Sequence, residues 1–194
     1  MKTLNENFME SSKLLSEAMG GLMTLTKITI APGTALHRFA DARYPDRFCS
    51  RPWWISFSPY EALKQYAKLK ELPLKNAARK CLAIGQWNNA DTIVKVSVKE
   101  PLSAWSGTPK TLSLKQDTKK YIGKEHIVLS GAFNNPPIKE DKEKYSSKYL
   151  GVNLMPERNI TQLFIPGLDQ VDPNDSKRKI WQSAFSGHCI LYVA

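Results

Sequence analysis

The chain has 194 residues, 42% of them hydrophobic, with a formal charge of +10. That length supports one substantial core, and the charge points to polyanionic or acidic partners such as nucleic acid, a dinucleotide or an acidic protein surface, without bearing on the fold. Three cysteines with no C-x-x-C spacing and three scattered histidines exclude a disulfide framework or zinc ribbon, fit a reducing compartment, and lead to the expectation that no metal is bound.

Residues 5–19 place Phe8, Met9, Leu14, Leu15, Ala18 and Met19 at helical spacing, and Gly20-Gly21 ends the pattern. Glu6, Glu10 and Glu17 interrupt every short apolar run there, so no secretory signal core is present, and no stretch of the chain approaches a membrane-spanning length. The reading is an N-terminal helical arm over residues 1–23, either docked or loose, followed by a single domain over residues 24–194. Residues 24–30 and 34–39 read as extended segments separated by the Pro32-Gly33 turn, the second ending in Leu36-His37-Arg38-Phe39. The arginine-rich segment 41–52, punctuated by Pro45 and Pro52, reads as a loop over a cleft.

Residues 53–67, WWISFSPYEALKQYA, are the most informative stretch of the sequence. Alternation of Trp54, Ser56 and Ser58 against Ile55 and Phe57 predicts a half-buried strand with both hydroxyls on one face and the apolar pair packed on the other. Ser58 is then expected to cap a helix, with Pro59 at its first position and Glu61 reaching back to the Ser58 amide. Helix continues to about Lys70, and a second short one is expected over residues 74–81 after Pro73. Strands follow at residues 92–98, 126–129, 160–165 and 189–193. Segment 101–124 gives no clear pattern, and the mixed charges of residues 139–148 read as solvated surface. This order indicates an α+β fold. Neither G-x-G-x-x-G nor G-x-x-x-x-G-K-S/T occurs, so phosphates, if bound, are held by other means.

Three elements in chain order, Leu36-His37-Arg38, Ser56-Phe57-Ser58 leading into a helix with Ala62, Tyr66 and Ala67, and Thr161-Gln162-Leu163-Phe164-Ile165-Pro166-Gly167, together resemble the mono-ADP-ribosyltransferase family of bacterial toxins and effectors. The resemblance implies a split β sandwich with a few peripheral helices, whose cleft binds NAD as co-substrate. It implies Arg38, Ser56 and Gln162 as catalytic residues, with Arg38 on the diphosphate, Ser56 on the nicotinamide ribose and Ser58 as the closing serine. His37, Phe57, Ser58 and Tyr66 join Arg38 and Ser56 around the cofactor. It further implies a macromolecular acceptor, protein or nucleic acid, a cognate immunity protein, no membrane association, and cytoplasmic residence with delivery into a target cell by a specialised route. The sequence departs from the family where its catalytic glutamate is expected: Thr161-Gln162 stands there, and the nearest upstream acid is Glu157.

Simpler roles stand beside these. Arg38 could pair with Asp41 or Asp46, His37 could be a partly buried structural histidine, Trp53, Trp54 and Phe57 could be core aromatics, and Cys49, Cys81 and Cys189 are expected to be inert. Two other functions fit the composition: a basic RNA-acting toxin, binder or ribonuclease, using His188 or His37, and a catalytically silent relative of the transferases that serves as an interaction surface.

Overall fold

The computed structural model describes residues 2–82, 90–110, 112–113, 153–154 and 160–192. The expected strand at 126–129, the charged segment 139–148 and Glu157 lie outside the described residues, as do the side chains of His188 and Cys189. Within them the fold is α+β, as its sequence predicts. Strands β1 (Leu22–Ile30), β2 (Ala35–Ala40), β3 (Trp53–Ser56), β4 (Thr92–Val98), β5 (Leu102–Pro109), β8 (Gln162–Phe164) and β11 (Phe185–Tyr192) form a seven-stranded sheet in the order β1-β5-β8-β3-β2-β4-β11. Every ladder in it is antiparallel. The short pairs β6 (Leu112–Ser113) with β7 (Asn153–Leu154), and β9 (Val171–Asp172) with β10 (Asp175–Lys179), stand apart from it.

Both faces of the sheet are covered. On one, Leu36, Trp54, Val94, Val96 and Leu163 pack with Phe48 and Cys49 of the 41–52 loop and with Ile180 and Ala184 of α4 (Ile180–Ala184). On the other, Phe39, Ile55 and Ile93 pack under α2 (Phe57–Leu69) and α3 (Leu74–Cys81), which contribute Leu63, Tyr66, Ala67, Ala77 and Ala78. A third cluster sets Met9 and Ala18 against Trp105 and Phe164, the phenylalanine ring meeting Trp53 edge-on at 5.0 Å.

Two expectations around residue 57 need correction. The strand ends at Ser56 rather than Ser58, and Ser56, not Ser58, occupies the position before the helix, without a side-chain capping bond. The helix starts early because its first four amides need no intrahelical partner, so Pro59, which has no N–H, fits anywhere in that first turn. Phe57 consequently leaves the strand alternation and is 57% exposed instead of packing beside Ile55.

The N-terminal residues are docked. After a 3₁₀ turn at Glu6–Glu10, α1 (Ser12–Gly21) runs directly into β1. Asn5, fully buried, donates through Nδ2 to the carbonyls of Ser103 and Pro166, each at 2.9 Å, and accepts the Ser103 amide at 2.8 Å. The Glu6 carboxylate accepts from Lys27, Thr3 and Ser103, which hold its pKa down at about 2. Gly167 has φ of +77°, and a Cβ there would lie 2.6 Å from the Phe8 ring. This segment therefore braces Pro166-Gly167, immediately after β8.

Asn5→Ala removes three buried hydrogen bonds and leaves the Ser103 amide without its acceptor. Urea unfolding should show a loss of about 3 kcal/mol with an unchanged denaturant slope; a loss below about 0.5 kcal/mol, the usual range for surface substitutions, would mean that the arm does not brace the sheet.

Candidate active site

The four residues of β3 divide their pairing between two neighbours. Trp53 and Trp54 pair with Phe164 and Leu163 of β8, whereas Ile55 and Ser56 pair with His37 and Leu36 of β2. Beyond His37, β2 stays with β4 as far as Ala40, and Gln162 of β8 pairs with Gly107 of β5. The sheet therefore opens into a fork. His37, Arg38 and Phe39 line it from β2, Trp53, Trp54 and Ile55 from β3, Gln162 from β8, and Leu82 from the end of α3. The space between these side chains is about 20 Å³, the room of one water molecule.

Arg38 is the most unusual of these residues. Its Nε and Nη1 are buried with no hydrogen-bond partner among the described residues. The two acids that the sequence offers nearby are paired with other arginines: Asp41 with Arg43 and Asp46 with Arg47. Burial, and then the neighbouring charge of Arg51, push the Arg38 pKa down to about 9, which still leaves it cationic at neutral pH. The 41–52 loop, expected over a cleft, contributes no residue to the lining of the fork, but it brings the charge of a second cation, Arg51, to bear on Arg38. Its Cys49 thiol, also near Arg38, is pushed up to about 11 by burial and stays protonated at neutral pH. Among the described residues Arg38 thus meets the charge of a second cation and has no carboxylate partner.

His37, 3% exposed, stacks on Tyr60 with ring centroids 4.1 Å apart. Its Nδ1 has no partner among the described residues. Burial first, then the charges of Lys95 and Lys64, lower its pKa to about 4. The ring is therefore neutral near pH 7, able to make a hydrogen bond but not protonated to imidazolium.

The remaining sequence candidates divide. Gln162, 5% exposed, lines the fork with Arg38 and His37. Ser56, half-buried, sits opposite Leu36 at the closed end of the fork, outside its lining. Phe57 lies beside it, 6.3 Å from the His37 ring. Ser58 is exposed on the first turn of α2, and Tyr66 is buried among Leu63, Ala67 and Ala78. The fork also takes in Phe39 and Leu82, which no motif marks out. Arg51 could have been found from the arginine spacing in Arg47-Phe48-Cys49-Ser50-Arg51, but the sequence does not say which of the loop arginines faces Arg38.

Among the described residues no three His, Cys, Asp or Glu side chains come together as a metal site, and no helix is long and apolar enough to cross a membrane. No protein-family model, curated protein or solved structure matches the chain. The functional reading therefore rests on the chemistry of the fork.

His37 should titrate by NMR with a midpoint near 4. Because this is below its unfolded value near 6.5, whatever stability its neutral form contributes is complete above about pH 6.5 and declines as pH falls toward 4. A midpoint at 6 or above would mean that the ring is solvated and not held in the fork.

Proposed function

We propose that the chain is an NAD-dependent mono-ADP-ribosyltransferase of the toxin or effector kind, acting on a macromolecular target. The observation that carries this reading is Arg38, whose Nε and Nη1 have no partner among the described residues, at a fork where the strands bearing the arginine, the serine and the Gln162 motif are immediate neighbours, in the order β8-β3-β2. The fixed fork of N–H donors on an arginine suits a diphosphate, which would supply the negative charge that Arg38 lacks among the described residues. A dinucleotide is far larger than the one-water space between the lining side chains, so binding requires the prongs to separate.

In the reaction, the bond between ribose C1′ and the nicotinamide nitrogen breaks, its electron pair leaving on nicotinamide. A nucleophilic atom of the acceptor bonds to C1′ and loses its proton to solvent or a nearby base. Positive charge develops on the ribose as the first bond stretches, and a carboxylate facing it lowers the barrier. Gln162 can accept a hydrogen bond from a ribose hydroxyl but brings no charge. The same neutrality favours a second reading, a silent relative that binds the nucleotide without turning it over. The ribonuclease alternative loses a general acid at His37, whose ring is neutral rather than protonated to imidazolium near pH 7.

Calorimetric titration of NAD should give saturable binding, weakened about 10- to 100-fold in Arg38→Ala, as expected for losing charge-assisted hydrogen bonds. Gln162→Glu should raise nicotinamide release about tenfold or more by restoring charge beside the ribose. Absence of saturable binding to folded wild-type protein, or equal affinity in Arg38→Ala, would overturn the proposal; binding without release in either wild type or Gln162→Glu would select the silent reading.

A further inference from the structure

Phe57, Tyr60, Glu61 and Lys64 fall at offsets of zero, three, four and seven along α2 and so share one side of the helix. The sheet supplies the rest of this surface. The His37 ring lies under Tyr60 at 4.1 Å and beside Phe57 at 6.3 Å. Lys64 Nζ sits 5.0 Å from the Tyr60 ring centroid and 2.6 Å from the Glu61 carboxylate. Lys95, the ladder partner of His37, is exposed and close enough for its charge to act on that ring, and it has no ion-pair partner among the described residues. At the edge of this surface Phe57 keeps 57% of itself in solvent.

We propose that this surface, Phe57, Tyr60 and Lys64 of α2 with His37 and Lys95 of the sheet, binds single-stranded nucleic acid, a base lying against the Phe57 ring and phosphates against Lys95 and Lys64. An exposed ring flanked by cations suits a chain that offers flat π faces and phosphates at alternating positions. An acidic peptide would answer the lysines and leave the ring without a flat partner, while the bases of a duplex are stacked out of its reach. The formal charge of +10 draws a polyanion to the protein as a whole. Calling this strand the acceptor rests on the transferase reading; its binding does not.

The test is fluorescence anisotropy of labelled single-stranded oligonucleotides of about 12 nucleotides, RNA and DNA, without NAD, with a poly-glutamate peptide as competitor. Phe57→Ala should weaken binding by about 5- to 150-fold and Phe57→Trp should retain it, the change reporting one lost stacking contact. Lys95→Ala should weaken binding for every sequence and reduce the slope of log affinity against log salt by about 0.7. Affinity unchanged in folded Phe57→Ala, or equally weak in Phe57→Trp, would overturn the proposal, as would poly-glutamate competing in a Phe57-dependent way, which would point to an acidic protein instead. Because NAD is absent, this result is independent of whether the fork binds the dinucleotide.

Discussion

A residue in a strand can exchange backbone hydrogen bonds with a neighbour on either side, and β3 has only four residues with which to join the two halves of this sheet. It spends Trp53 and Trp54 on β8, and Ile55 and Ser56 on β2. The β2–β3 ladder is therefore two residue pairs long, and past it the halves separate. The fork and the position of Arg38 beside it follow from that division. The strand cannot lengthen at its C-terminal end, because α2 begins at Phe57, nor readily at its N-terminal end, where Pro52 lacks a donor and its carbonyl already receives the Ile165 amide at 2.8 Å.

Packing on both faces anchors the strand at the base of this opening. Trp54 is buried on one face with its indole donating to the Arg51 carbonyl at 2.8 Å, and Ile55 is buried on the other beneath the two helices. Behind β8, Asn5 and Phe8 grip Pro166 and Gly167 from the N-terminal arm, so Gln162 stands on a strand anchored at its far end. Burying guanidinium nitrogens without partners is costly, and Arg38 Nε and Nη1 are buried with none among the described residues. The charge of Arg51 adds to that cost. On the proposed function, an anion entering the fork would relieve both.

Much of the framework was legible in the sequence because its residues alternate or repeat in ways that backbone geometry requires. The strand at Thr92–Val98 and the helix at Leu74–Cys81 fall where β-branched alternation and the Pro73 break put them. β5 was illegible for a physical reason. It lies between β1 and β8 with both faces covered, so it has no polar alternation, and its Ser103, Ser106 and Gly107 resemble a loop. Gly107 is there for contact, since a Cβ would fall 2.4 Å from the Met23 carbonyl oxygen. The hairpin of β9 and β10 and the five-residue α4 are too short for a period to emerge. At the site, the motif residues Arg38 and Gln162 could be named, but not the fork that unites them. That depends on which neighbour each β3 residue pairs with, a choice that side-chain type does not encode. Phe57 was misread because alternation cannot tell the last residue of a strand from the first turn of a helix.

On the proposed function, Arg38, whose Nε and Nη1 have no partner among the described residues, meets an external anion. A crystal structure of the protein grown with NAD tests this most directly. The account predicts a diphosphate oxygen within hydrogen-bond distance of Arg38 Nε or Nη1, with the prongs carrying His37 and Gln162 moved apart. Arg38 bonded to a carboxylate of the protein itself, with the dinucleotide elsewhere or absent, would contradict it.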